Sequence, residues 1–226
     1  MYNLGVIVSI GEAYIKDNAV CGTAVANCLQ ISALGGSAMF AGAVSSDADG
    51  IRVLEYLIDN CIFFEPSLCN DAKPTYVEGP EGTAVQDSCI FSIDAERLKE
   101  SLRLNTDARI VLPNSIAFTW EKVRNAVWEA VRDRTLAVCL DLTAQKLDEQ
   151  VARQWASRSE IVIADENTAH RIKPCCKNIL VEAAPHFSGA AKVCTIYDRA
   201  LEKGEDPADA LLKNTFNDCR ILTCLP

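Results

Sequence analysis

Three short stretches place small residues or an Asp just ahead of an apolar, helix-patterned run: Cys21–Gly22–Thr23, Ser45 to Gly50, and Pro185 to Ala191. In open parallel α/β sheets, ligands lie at the carboxyl ends of strands, where helix N-termini aim unpaired N–H groups at them. Those turns are therefore where anion chemistry could be done. Side chains for proton transfer are scarce. The only histidines are His170 and His186. His186, just before the third turn, titrates in the right range for a base but has no fixed partner in sequence. Glu182 and Asp198 flank the same turn and read as solvated charges. The eleven cysteines form no C-x-x-C pair, which gives a zinc site no support. Contexts such as AVCLDL around Cys139 make them small hydrophobes, and a reduced, cytoplasmic setting is expected. The vicinal Cys175–Cys176 pair reads as a chance of the loop.

Absent motifs narrow the classes further. No G-x-G-x-x-G follows the first strand, and there is no G-x-x-x-x-G-K-[ST], G-x-S-x-G or H-E-x-x-H. The net charge of −9 argues against nucleic acid or an anionic membrane as partner. No apolar run approaches the roughly 20 residues needed to span a bilayer. MYNLGVIVSI lacks a basic flank and reads as a buried strand, not a signal peptide.

The elements that would position these turns alternate. Leu4 to Ile10 is a continuous apolar run, the pattern of a strand covered on both faces. A helix is expected from the Cys21 turn to Ala33, ended by Gly35–Gly36. Ala38 to Val44 reads as a strand, and Ser45–Ser46–Asp47 as the cap of a helix to about Asn60. Short strands and loops are expected over Ile62 to Gly82, with one more strand over Val85 to Ile93. Downstream come helix Asp94 to Arg103, strand Ala108 to Leu112, and a helix capped by Thr119 that presents Trp120, Val123, Val127 and Val131. Strand Leu136 to Leu140, helix Lys146 to Ala156, strand Glu160 to Ala164, a short helix over Asp165 to Ile172 and a strand over Asn178 to Val181 follow. Two last helices end at Gly204 and begin at Pro207. This alternation predicts an α/β fold: a three-layer α/β/α sandwich around a mostly parallel sheet, as one domain over 1–226.

The stretch Cys21 to Gly50 resembles the PfkB, or ribokinase-like, family of sugar and nucleoside kinases. That family carries G-G-[ST]-x-x-N on its first long helix, then L-G-G, an apolar strand and G-x-V-G-x-D-x-x-G. Leu34, Gly35, Gly36, Gly42, Val44, Asp47 and Gly50 match, with Ser45 where glycine is usual. Pro74–Thr75 and Pro80–Glu81–Gly82 look like the Pro-Thr pair and the P-[DE]-G turn found further along in the family. Leu136 to Asp141, Ile161 to Ile172 and ALEKGEDPADAL (Ala200 to Leu211) look like later segments, so the resemblance runs from Leu4 to about Asn217.

What the resemblance implies is ATP- and Mg2+-dependent phosphoryl transfer to a hydroxyl of a small sugar or nucleoside. It points to a substrate cleft near Asp17, Gly22, Thr23, Asn27 and Asp47. An anion hole is implied at Ser188, Gly189 and Ala190, and a weak metal contact at Asp165. The departures point the other way. Ala26 stands where the family's substrate Asn would be, and Asn27 would serve only if the helix were turned by about 100°. Tyr14 to Val20 is too short for the family's lid of several strands, so a reduced or absent lid is expected. Thr168 replaces the Glu of N-x-x-E, and Ala191 falls on the Asp that acts as base. The stretch from Ile172 to Pro185 leaves little to grip adenine. The expected function is therefore a homologue of these kinases that is catalytically impaired or inactive. The alternative is a non-catalytic small-ligand-binding or protein-interaction module on the same fold. The sheet edge left by the missing lid suggests an oligomer, with itself or with a partner subunit that completes the site.

Overall fold

The computed structural model describes residues 5–64, 93–114, 121–132, 134–143, 145–176, 178–183, 187–214 and 220–223. The order begins β1 (Val6–Ile10), β2 (Tyr14–Lys16), β3 (Ala19–Cys21), α1 (Thr23–Ala33), β4 (Ser37–Ala41), α2 (Ala48–Asp59), β5 (Phe63–Phe64), α3 (Ala95–Leu104), β6 (Ala108–Pro113) and α4 (Glu121–Ala130). It continues with β7 (Thr135–Leu140), α5 (Glu149–Arg158), β8 (Ile161–Ala164), α6 (Glu166–Ile172), β9 (Ile179–Glu182), α7 (Phe187–Lys203), α8 (Pro207–Lys213) and β10 (Arg220–Thr223).

Among the described residues, β1 and β4 to β10 form one eight-stranded sheet in the order β10-β9-β8-β7-β6-β1-β4-β5. Every pairing in it is parallel except β10 on β9. The continuous apolar pattern of the strands has a direct cause, since helices cover both faces. Val6, Val8 and Ile10 join one core cluster with Leu98 of α3, Val127 of α4, Trp155 of α5 and Ala169 of α6. Ile7, from the other face of β1, joins Ala24, Val25 and Cys28 of α1, Val53 of α2, Ala191 and Cys194 of α7 and Leu211 of α8. The expected three-layer sandwich is what the chain forms.

Local chemistry sets the element ends. Asp47, Asp94, Asp148, Asp165 and Asp206 each cap a helix by accepting from backbone N–H groups of its first turn. Helix α5 begins at Glu149, three residues later than Lys146, because Lys146 is left-handed at φ 47° and Asp148 is the cap. Strand β4 stops at Ala41, where its partner β1 stops at Ile10, so Gly42 to Val44 runs on as a bend and irregular loop. Thr119, Trp120, Pro74–Thr75, Pro80–Glu81–Gly82 and most of the strand expected over Val85 to Ile93 lie outside the described residues.

Two elements were not expected. Strand β10 adds an antiparallel edge beyond Asn217. Tyr14 to Cys21 forms a two-stranded antiparallel hairpin, β2 with β3, where no strand was foreseen. Its tip, Asp17–Asn18, has φ of 49° and 65°, the positive pair that a two-residue hairpin turn requires. Arg52 of α2 holds that tip, donating to the Asn18 carbonyl at 3.1 Å and to its side-chain oxygen at 2.8 Å. The stretch where the resemblance would set a lid holds this one latched hairpin.

Candidate functional site

The carboxyl ends of β1, β4 and β6 meet the N-termini of α1 and α2. Glu12, two residues past β1 and only 7% exposed, is the centre of this group. Its Oε1 accepts from the Thr23 backbone N–H at 3.1 Å, and its Oε2 accepts from the Asn114 side-chain amide. Gly22 gives α1 no side-chain cap, so a carboxylate from the neighbouring strand satisfies a free N–H of the first turn. Asn114 follows β6 and is fixed by its own N–H to the Ile10 carbonyl at 2.9 Å.

Glycines make the contact possible. A Cβ on Gly11 would sit 2.0 Å from the Asn114 amide, and one on Gly22, at φ +125°, would sit 2.3 Å from the Glu12 carbonyl oxygen.

Beside this group, Ser45 donates to Asp47, which also accepts from the Gly50 N–H at 2.9 Å. The Ser45 hydroxyl, then the Gly50 N–H, holds the Asp47 carboxyl below its usual range. Gly50 is indispensable, because a Cβ there would lie 1.7 Å from the Ser45 carbonyl oxygen.

The structure therefore brings Gly22 and Thr23 onto Glu12 and sets Asp47 at the next helix N-terminus. Asp17 stands apart, exposed at the hairpin tip. Asn27 is a turn further into α1 and buried. Its amide lies 3.4 Å from the Ser9 hydroxyl in the layer between α1 and β1, and its Oδ1 has no hydrogen-bond partner. Sequence reasoning missed Glu12 and Asn114. The available signal was positional, a carboxylate and an amide directly beyond two central strands, at the edge where ligands bind.

A second group lies at the carboxyl ends of β7, β8 and β9, which lead into Asp141, Asp165 and Glu182. Thr168 donates its hydroxyl to one oxygen of Asp165 and its backbone N–H to the other, at 3.1 Å for the latter. The same hydroxyl accepts from the Leu142 N–H at 3.0 Å. Thr168 is fully buried and ties the loop after β7 to α6. Burial, then the Asp141 and Asp165 charges, pushes the nearby Cys139 thiol up to about 12. Cys28 is likewise pushed up to about 12 by burial. Neither thiol is a nucleophile near neutral pH.

The third turn opens α7. Gly189 is partly buried, while Ala190 and Ala191 are in the core, Ala191 at 0% exposure. Helix α7 starts at Phe187, so Ala191 is already in its second turn, and its carbonyl accepts from the Thr195 hydroxyl at 2.8 Å. His186 lies outside the described residues, as does the side chain of Ser188. Asp198 reads differently from its sequence context. It is 5% exposed, 3.7 Å from Arg109, at the opposite edge of the sheet beside Gly5. No group of three His, Cys, Asp or Glu suited to a metal occurs among the described residues, and no described helix is long and apolar enough to cross a membrane.

No family model matches the sequence, and no curated protein matches it. Solved structures do. An E. coli protein described as ribokinase II, in complex with ATP and Mg2+, superposes with a TM-score of 0.66 at 10% identity, over 92% of this chain and 89% of that one. Fructokinase from Xylella fastidiosa with bound ATP gives 0.66 at 12% identity, over 94% and 85%. Halothermothrix orenii fructokinase gives 0.64 at 12% identity, over 92% and 97%. Parallel strand order, two-sided helical cover and near-complete superposition agree: this chain has the fold of the PfkB, ribokinase-like sugar kinases.

Proposed function

We propose that the protein is a ribokinase-like sugar or nucleoside kinase homologue in which phosphoryl transfer is lost or strongly reduced. The observation that carries this reading is Ala191. The family resemblance sets it where the base should be, and its methyl group is fully buried in the apolar layer between α7 and the sheet. Alanine accepts no proton, and loss of a general base costs about 10²–10⁴-fold in rate.

The remaining machinery is eroded in the same sense. The solved relatives of E. coli and Xylella hold ATP, the former with Mg2+. Here the carboxylate nearest in role, Asp165, spends both oxygens on Thr168, and Thr168 itself offers no charge. These residues do not fit direct ligation of Mg2+, a hard cation that favours free carboxylates. The latched β2–β3 hairpin is a small cover, with Lys16 to Ala19 exposed, and excludes little water from a transfer step.

The other end of the site favours a second reading, a non-catalytic module that keeps a small-ligand cleft. Glu12, Asn114 and the α1 N-terminus form a preorganised polar group. A ligand rich in hydroxyls could exchange hydrogen bonds with it. Calorimetric titration with ribose, fructose and adenosine, with and without ATP–Mg2+, separates the readings. Saturable sugar or nucleoside binding without ATP-dependent product supports the binding module. Heat from neither class of ligand leaves the inactive homologue alone. Phosphorylated product formed at the rate of an intact kinase, about 1–100 s⁻¹, overturns both.

A further inference from the structure

We propose that a cleft at the amino ends of β7 and β8, opposite the edge discussed above, is a binding site for a small organic phosphate. The cleft has a volume of about 550 Å³, within the usual size for small-molecule sites. Leu136 near the start of β7, Glu160 just before β8, and the ends of α4 and α5 form its walls.

Its charge is the reverse of the chain's. The protein carries a net −9, yet Arg132, Arg134 and Arg158 line this one cleft against Glu129 and Glu160. Each group has a distinct state. Arg134 is fixed, donating to the carbonyls of Ala108 at 3.2 Å and Leu102 at 2.7 Å. Glu160 is turned onto the backbone, where it accepts from the Leu136 N–H at 2.6 Å. Glu129 is exposed, and with Glu160 it leaves the three arginines of the described lining in excess by one charge.

The Arg158 guanidinium lies 4.2 Å above the Trp128 ring, and Trp128 in turn packs edge-on against the fully buried Trp155, with centroids 4.5 Å apart. The ring face attracts the Arg158 cation without using its N–H donors, which stay available to a ligand. Arg132 and Arg158 have no hydrogen bond or ion pair among the described residues. A cation at the last residue of α5 complements the helix dipole, which accounts for the charge of Arg158. It does not account for the stacked geometry, nor for Arg132 beyond the end of α4.

Two unpaired guanidinium forks beside a third fixed positive charge match a phosphate dianion, which accepts several parallel N–H bonds. Val131, Leu136 and Trp128 offer an apolar wall to the rest of the molecule. The site does not depend on the kinase reading, since it sits at the opposite edge of the sheet.

Phenyl phosphate and inorganic phosphate serve as separate probes of the intact protein, followed by tryptophan fluorescence and calorimetry at low salt. Saturable binding is expected for both, tighter for phenyl phosphate. Arg158→Gln and Arg132→Gln should each weaken it by about tenfold or more, the value of a charge-assisted hydrogen bond. Glu129→Gln, a change at an exposed side chain that does not threaten folding, should tighten it. The proposal is overturned if neither probe binds saturably. It is also overturned if Glu129→Gln leaves affinity unchanged, or if folded arginine variants bind as well as the parent. Equal affinity for the two probes would overturn the organic part, leaving a site for the bare anion.

Discussion

At the β1–β4–β6 end of the ligand edge, Glu12, Asn114, Ser45 and Asp47 are polar groups held in place by glycines that allow no side chain. At the β7–β8–α7 end, the positions that the kinase resemblance marks for chemistry hold Thr168 and Ala191, both fully buried. The same fold supports both because each end satisfies its own backbone. Glu12 caps α1 from outside, whereas Thr168 knots Asp165 to the loop after β7. The shape of a turn is thus set by its backbone partners and does not depend on a reactive side chain. Scaffold glycines report on the fold, and the side chains beside them report on the chemistry.

The contrast can be broken most severely at Gly50. Gly50→Ala drives a Cβ into the Ser45 carbonyl and should cost about 3–5 kcal/mol in urea denaturation. A cost under about 1 kcal/mol would mean the turn is not rigid. Ala191→Asp comes next. It buries a carboxylate in an apolar layer and should cost about 3 kcal/mol without raising phosphoryl transfer. Restored transfer in a stable variant would show that α7 can present an acid to the cleft after all.

Two aspartates at opposite edges of the sheet should differ in the sign of their pH dependence. The Asp47 carboxyl is held low, so its contribution is present above the unfolded value near 3.9 and fades as pH falls through the folded one. Burial raises the Asp198 carboxyl, with Arg109 opposing, so its contribution is full below the unfolded value and is lost as pH rises through the folded one. Relative to the parent, Asp47→Asn should lose stability as pH rises from about 3 to 6, and Asp198→Asn should gain it. Parallel curves for the two variants would contradict these assignments. The smallest effect is expected for Arg52→Ala, at about 0.5–1 kcal/mol, seen as faster amide exchange confined to the β2–β3 hairpin.

Much of the fold was legible because its signals are local. The apolar run of β1, the Gly35–Gly36 stop and the Asp47 cap each act within a few residues. Gly35 takes a positive φ of 76° and Gly36 donates to the Ile31 carbonyl, closing α1 as that pair of residues suggests. The site was less legible because its central contact is not local. Glu12 and Asn114 stand 102 positions apart, and only the parallel pairing of β1 with β6 brings them together. The hairpin escaped notice because three-residue strands carry too little alternation to read, and its latch is supplied by Arg52 of α2. Position Asn27 shows a further limit. A residue type suited to a ligand was visible, but the rotation of α1 directs it to Ser9.

The central claim is that the nucleotide end has become core while the other end has kept its polar group. Transfer of the labelled γ-phosphoryl group from ATP–Mg2+ to ribose, fructose and adenosine, measured with the intact protein, tests it most directly. The account predicts transfer to every acceptor at least about 10²-fold below the roughly 1–100 s⁻¹ of an intact kinase. Saturable transfer to one of them at about 1 s⁻¹ or faster would contradict it.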